Sequence, residues 1–387
     1  MFSRRKFIAA TATTWLAADV GCSSSGTSPA APGAGGHAGA GATGASGSAG
    51  SIGLSGGAGS SGVAGSSGSG GSSGNAGSSG SAGSSGNAGS SGPPSGGEGG
   101  TNVAPPSAIL DAHTHFFDPS RPIPSGRSTP VPWPPVGDVL YRTTLPPEYV
   151  ALAKPLGIAS TVTIEASAWL EDNQWVLNLA AMNPVITAFV GNLSEVLGTA
   201  DFSAALSTLA ANPLVRGIRV SPAQLTSANM TDFAMLAQKG LMIDVLGSPG
   251  DLMTVSAFAK SLPSLRIVID HVANVKIDGK APPSNWVSGM TAAASQPNVY
   301  CKVSALVEGS GMLGNAPTDV AFYRPTLDLL WQVFGEDRLV FGSNWPVSSP
   351  YAPLSTVLSI VQAYFADKGA AANDKYFAKN AKVAYGL

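Results

Sequence analysis

From about residue 104 onward, short apolar runs rich in β-branched residues alternate with segments of helical spacing. The runs fall at 108–113, 158–164, 185–190, 215–220, 241–246, 266–270, 298–303 and 338–342. Nearly continuous apolar strands separated by helices predict parallel pairing, with both faces of the sheet covered. Eight such units predict an α/β domain over 105–387 that closes into a (β/α)8 TIM barrel. An open, doubly wound sheet is the competing arrangement, but no Gly-rich dinucleotide loop follows the first strand.

Several helices have readable faces and ends. Residues 170–182 place Trp175, Leu179 and Met182 at three- and four-residue intervals. Asp201 is positioned to cap a helix that starts at Phe202. A helix over 231–239 stops at Gly240, and one over 325–334 stops at Gly335. The insert from 119 to 147, RPIPSGRSTPVPWPPVGDVLYRTTLPP at its centre, exceeds a minimal barrel connection. It reads as a long ordered loop over the barrel mouth, with Trp133 and Tyr141 as candidates for lining a substrate pocket or for packing on the rim.

The residues before the barrel follow a different pattern. Residues 23–100 are almost entirely Gly, Ser and Ala, with no apolar positions that stacked repeats could bury. Such a stretch is expected to remain a disordered tether, here 23–104. Residues 1–22 begin MFSRRKFIAA, which resembles a twin-arginine export signal followed by an apolar segment too short for a membrane span. Gly21-Cys22 before three serines resembles a lipoprotein processing site, although Asp19 stands where such sites carry an aliphatic residue. The expectation is an exported domain, periplasmic or anchored to a membrane by a lipid on Cys22. The other cysteine, Cys301, sits in an apolar run and reads as a buried free thiol.

Charge narrows the partners. Without the leader and tether the chain has 18 Lys and Arg against 21 Asp and Glu, and no basic stripe. Nucleic acid is therefore excluded as the principal partner, and a small-molecule substrate is expected. The oligomeric state is not legible in the chain.

Three of the four histidines lie at strand ends. In Asp111-Ala112-His113-Thr114-His115, strand alternation points His113 and His115 together into the barrel mouth. His271 closes Ile267-Val268-Ile269-Asp270-His271. Alternation assigns His271 to the face of Ile267 and Ile269, and Asp270 to the opposite face in a structural pairing. Arg219, near the end of the fourth strand, suits a fork to a substrate carboxylate. Lys302 alternates with Cys301 and Val303, so it points into the polar mouth or pairs with an acid. Glu165, ending the second strand, is the candidate for that acid or for a base. Trp345 is a candidate apolar wall, with core packing as the alternative.

The segments ILDAHTHFFDP, EDNQW at 171–175, LVRGIRV, LRIVIDHV and RLVFGSNWPV, in this order, resemble the amidohydrolase-related TIM-barrel hydrolases. That group contains sugar-acid lactonases and 2-pyrone-4,6-dicarboxylate lactonase. The resemblance implies that His113, His115 and His271 bind the substrate or one divalent metal. His113 and His115 would be the metal ligands and zinc the first choice, while some members of the group work without metal. The family commonly carries Asp as general base where this chain has Asn344. An amide cannot take the proton of an attacking water, although it can orient that water. No histidine occurs in 241–247, and Arg219 stands where a bridging lysine would be. The reading is a hydrolase opening a small lactone or related ester-like bond, with His271 or Glu165 receiving the proton and Asn344 positioning the water. The alternatives are an exported sugar-acid-binding protein disabled by Asn344 and a metal-dependent decarboxylase.

Overall fold

The structure, a computed structural model, describes residues 108–387. The leader, Cys22 and the whole tether lie outside the described residues. Eight strands form one sheet in sequential order: β1 (Ile109–Thr114), β2 (Ile158–Ile164), β3 (Ile186–Gly191), β4 (Val215–Val220), β5 (Met242–Val245), β6 (Arg266–Ile269), β7 (Val299–Val303) and β8 (Leu339–Phe341). All seven neighbouring pairs are parallel. The barrel closes where His115 N donates to Trp345 O at 2.8 Å and Asn344 N donates to His113 O at 2.9 Å. The expected (β/α)8 architecture is therefore present.

Alternation along the strands builds two apolar layers. Leu110, Ala112, Val162, Ile164, Ala188, Val190, Met242, Val268 and Val340 fill the interior, together with Ala381, Ala384 and Tyr385 from the C-terminal segment. The opposite strand faces, such as Phe189, Ile218, Ile267 and Cys301, pack against the surrounding helices. Burying each large aliphatic side chain contributes about 1.5–3 kcal/mol. Cys301 is a buried free thiol, as its apolar run predicts.

The helices that follow the strands are α1 (Pro146–Ala153), α2 (Leu170–Met182), α3 (Phe202–Ala210), α4 (Met230–Gln238), α5 (Leu252–Ser261) and α6 (Ser284–Ala294). A short α7 (Leu306–Gly309) and then α8 (Val320–Phe334) follow β7; α9 (Leu354–Ala366), α10 (Ala370–Asp374) and α11 (Asn380–Tyr385) complete the chain. Three local expectations change. In α2 the buried face runs through Asn173, Val176, Leu177 and Ala180, while Met182 is 73% exposed. Asp201 precedes α3 with helical backbone angles, so its side chain makes no cap hydrogen bond. Pro325 lies inside α8 and does not start it; Asp319 caps that helix by accepting from Ala321 N.

The insert after β1 is an ordered strap. Its base is pinched by the Phe117–Thr144 bridge, with N–O distances of 2.9 and 2.7 Å. Arg121 forks onto Asp172 and lies over the Trp175 ring; Arg127 pairs with Glu171 and Glu195. These partners follow the C-terminal ends of β2 and β3, so the strap lies on the end of the barrel that carries the histidines.

Candidate functional site

β1 delivers two histidines to the barrel mouth because its end is tied to that of β8. Asp111 Oδ1 accepts from Ser343 N at 2.8 Å and from His113 N at 3.1 Å, and its Oδ2 accepts from Tyr149 Oη at 2.8 Å. Burial raises the Asp111 carboxyl above the usual range against these donors. Gly342 keeps room on β8: an added Cβ there would lie 2.9 Å from His113 Cβ and 3.2 Å from the Lys302 stem.

His113 and His115 do share a face, with their Nε2 atoms 3.0 Å apart. His271 joins them, its ring 4.3 Å from that of His113. The route differs from simple alternation. β6 ends at Ile269, and His271 has φ of 54°, so the chain turns left-handed and aims both Asp270 and His271 into the mouth. Asp270 continues the interior face of Val268; the expected outward structural pairing is corrected.

Two cations and several carboxylates surround the imidazoles. Lys302 Nζ lies 2.8 Å from Asp244 Oδ2, 2.8 Å from Asp270 Oδ1 and 2.9 Å from His113 Nδ1. Its acid partners are thus Asp244 and Asp270, not Glu165, because Glu165 sits across the mouth beside Asn192 and Arg219. Arg219 Nε donates to Asp270 Oδ2 at 3.0 Å and its terminal nitrogens reach towards Glu165 and His271. Arg219 therefore holds an internal network, with 11% of its side chain left exposed to meet a ligand.

The hydrogen bonds assign the protons. A lysine ammonium can only donate, so His113 Nδ1 accepts and its Nε2 carries the hydrogen. His115 Nδ1 lies 2.9 Å from the Glu165 carbonyl oxygen and must donate to it, leaving Nε2 to accept from His113. His271 Nδ1 meets Ser304 Oγ at 2.8 Å. Burial, then the charge of Lys302, pushes His113 well below the usual imidazole value. Burial, then Arg219, lowers His115 to about 3. Burial lowers His271 to about 3 against the opposing charge of Asp270. All three rings are neutral near pH 7. Burial works against ionisation of Asp270, yet Lys302 and Arg219 hold it well below the carboxylate range. Burial and the neighbouring Asp270 raise Asp244. Burial also raises Glu165, against the attraction of Arg219.

The metal-like group among the described residues is His113, Asp270 and His271, whose donor atoms lie within 4.8 Å of one another. This set shares His113 with the expected His113–His115 pair and adds Asp270 and His271. Two imidazoles and a carboxylate fit a zinc-type ion in kind and spacing. Lys302 occupies His113 Nδ1 and Asp270 Oδ1, so an ion taking those two atoms would compete with it.

The remaining expected residues are placed as follows. Asn344 has φ of 57° at the end of β8 and is 4% exposed; its Nδ2 donates to Glu308 Oε1 at 2.8 Å. Trp345 is buried in the outer core against Phe116 and Tyr149, so the apolar-wall assignment is corrected to packing. Tyr141 lines a shallow depression with Pro119, Ser120, Arg142 and Thr143, away from the histidines' hydrogen-bond partners. Trp133 is partly buried in the strap, before the cis bond to Pro134. The residues missed were Asp244, Ser304 and Glu308. Asp244 was legible by alternation in β5; Glu308 follows a left-handed Ala305, beyond any periodic signal.

Residues 110–387 match the amidohydrolase family along their whole length. The chain belongs to the amidohydrolase family. This amidohydrolase is 33% identical over 248 residues to an L-fucono-1,5-lactonase of Burkholderia ambifaria, covering 62% of this chain and 80% of the relative. It is 27% identical over 270 residues to an L-fucono-1,5-lactonase of Burkholderia multivorans, covering 66% and 88%. A crystal structure of an amidohydrolase from Burkholderia multivorans with bound zinc superposes with a TM-score of 0.64 at 25% identity, covering 72% of this chain and 99% of that one.

Proposed function

We propose that the barrel domain is a hydrolase that opens a small lactone of a sugar acid or a related carboxylated compound. The observation that carries this reading is the convergence of three neutral imidazoles with Lys302, Arg219 and Asp270 at the C-terminal end of the barrel. The two L-fucono-1,5-lactonase relatives support the substrate class. Water attack on a lactone carbonyl builds negative charge on the carbonyl oxygen, and fixed donors and cations stabilise it. Arg219, the more exposed cation, positions the substrate's oxygens. Lys302 holds His113 and Asp270 in register, and the strap restricts water around the mouth. A zinc-type ion held by His113, Asp270 and His271 would supply Lewis-acid polarisation of the carbonyl.

The test is turnover by the purified full chain of L-fucono-1,5-lactone, other aldonolactones and cyclic dicarboxylate lactones, with chelator and with added zinc. Rates indistinguishable from the uncatalysed background under every condition sink the reading. The same proposal assigns residues 1–22 to export with lipidation at Cys22, and 23–104 to a tether holding the enzyme away from a membrane. Cell fractionation and mass spectrometry of the mature N-terminus test that assignment; a cytoplasmic chain that retains Met1 overturns it.

A further inference from the structure

Two neighbouring side chains at the catalytic end of the barrel each keep a buried oxygen without a hydrogen bond: Asn344 Oδ1 and Glu308 Oε2. The Asn344 Nδ2–Glu308 Oε1 bond of 2.8 Å joins them. It also orients the amide, because only the NH2 end can face a carboxylate, and Oδ1 is left as an acceptor turned elsewhere. Asn344 is fixed from behind by its backbone N on His113 O, at 2.9 Å. Glu308 sits on α7, four residues after the Ser304 that holds His271. The pair therefore spans the loop after β7 and the end of β8, and the Asn344 backbone ties it to β1 at His113.

Buried acceptors without donors are costly, and two together suit a ligand with two hydrogens to give. The other acids near the histidines are committed. Asp244 and Asp270 hold Lys302, Asp111 holds Ser343 and Tyr149, and Glu165 meets Asn192 and Arg219. Among the described residues, Glu308 is the one carboxylate with a buried, unpartnered oxygen.

We infer that Glu308 is the general base of this site, taking a proton from the attacking water while Asn344 Oδ1 holds the water's other hydrogen. This rests on the lactone-hydrolase reading and deepens it. The water oxygen bonds to the carbonyl carbon, the C=O π pair moves onto the carbonyl oxygen, and one water proton passes to Glu308 Oε2. Collapse of the oxyanion breaks the bond from that carbon to the ring oxygen, which leaves with the proton from Glu308. The carboxylate is regenerated and the product is the open hydroxy acid.

Burial raises the Glu308 carboxyl to about 7. The groups bearing on it are its own backbone N–H, the Asn344 amide and the buried Tyr323 phenol of α8, none of them cationic. A base in that range suits proton transfer near neutral pH.

The experiment uses the full chain and L-fucono-1,5-lactone. Glu308→Gln is expected to lower kcat by about 10²–10⁴-fold, with KM changed by less than about threefold, and to remove the acid limb of the pH profile. Glu308→Asp keeps the carboxylate and is expected to keep that limb at reduced kcat. Added formate is expected to restore turnover in Glu308→Ala but not in Glu308→Gln, with circular dichroism confirming that both fold. A Glu308→Gln chain that works within about threefold of the parent, or keeps the acid limb, overturns the inference and leaves the lactone reading standing. A parent chain inactive on every lactone removes both.

Discussion

Lys302 Nζ lies 2.9 Å from His113 Nδ1, and this contact determines which nitrogen of His113 bears its proton. The same ammonium reaches Asp244 and Asp270 at 2.8 Å, so all three of its hydrogens are engaged where no atom of the side chain is exposed. Taking one partner from a buried ion network leaves charge without compensation. Lys302→Met, similar in length, is expected to lower stability by about 3–5 kcal/mol in urea denaturation. A loss within experimental error of zero contradicts the three-way contact.

The zinc question turns on the same side chain. Lys302 occupies His113 Nδ1 and Asp270 Oδ1, two atoms through which these residues could hold a metal. Binding to the folded state alone raises stability by mass action. Zinc is therefore expected to raise the Tm of Lys302→Met more than that of the parent chain, and to bind it at least about tenfold more tightly in equilibrium dialysis. Equal binding by the two chains argues that zinc does not bind through His113 Nδ1 and Asp270 Oδ1.

The parts legible in the sequence were those governed by regular geometry. β-branched runs placed the eight strands within a few residues, and period-two alternation paired His113 with His115 and put Lys302 inside, although an irregularity between Asp111 and Thr114 separates the histidines from the Leu110–Ala112 face of β1. Legibility failed where the backbone leaves regular angles. His271 at φ 54° and Ala305 at φ 54° turn the chain after β6 and β7, bringing in His271 itself and Glu308 from segments that alternation could not follow. Trp345 lies one residue past Asn344, whose own φ of 57° redirects the chain towards the outer core. Met182 fitted a helical stripe by spacing, but the buried stripe of α2 is rotated towards Val176 and Ala180.

Gly342 tests how tightly the interior holds His113. A Cβ there would meet His113 Cβ at 2.9 Å and the Lys302 stem at 3.2 Å, with both neighbours themselves fixed. Over-packing of this kind costs about 1–3 kcal/mol. Gly342→Ala is expected to lose that much stability and to lower kcat, since His113 cannot shift without disturbing Lys302. A variant with unchanged Tm and kcat shows that the interior yields.

Asn344→Asp separates a lost enzyme from one that works with a different base. If the amide disables the site, restoring Asp brings a large gain in hydrolysis. With Glu308 as base, the substitution instead puts a second carboxylate 2.8 Å from Glu308 Oε1. Two carboxylates that close share a proton, and one is held protonated to higher pH. The expected result is no gain in kcat at pH 7 and an acid limb moved above about 7. A rate increase of about tenfold or more at pH 7 favours the disabled-site reading.

Glu308 also makes a prediction that needs no substrate. Its folded value of about 7 lies above the ordinary 4.5 for a glutamic acid. At low pH both folded and unfolded chains keep the proton, so the group has no effect on the balance. Between about 4.5 and 7 the unfolded chain releases the proton while the folded chain retains it, and stability falls as pH rises. Above 7 both forms are ionised and the loss stays constant. Glu308→Gln lacks this titration, so its Tm advantage over the parent is expected to be small at pH 4.5, to grow up to pH 7 and then to level off. In a domain of this size each kcal/mol moves Tm by about 2–4 °C, within reach of calorimetry. A difference that stays flat across this range shows that the Glu308 carboxyl titrates normally. The burial that suits the group to act as a base near neutral pH would then be absent.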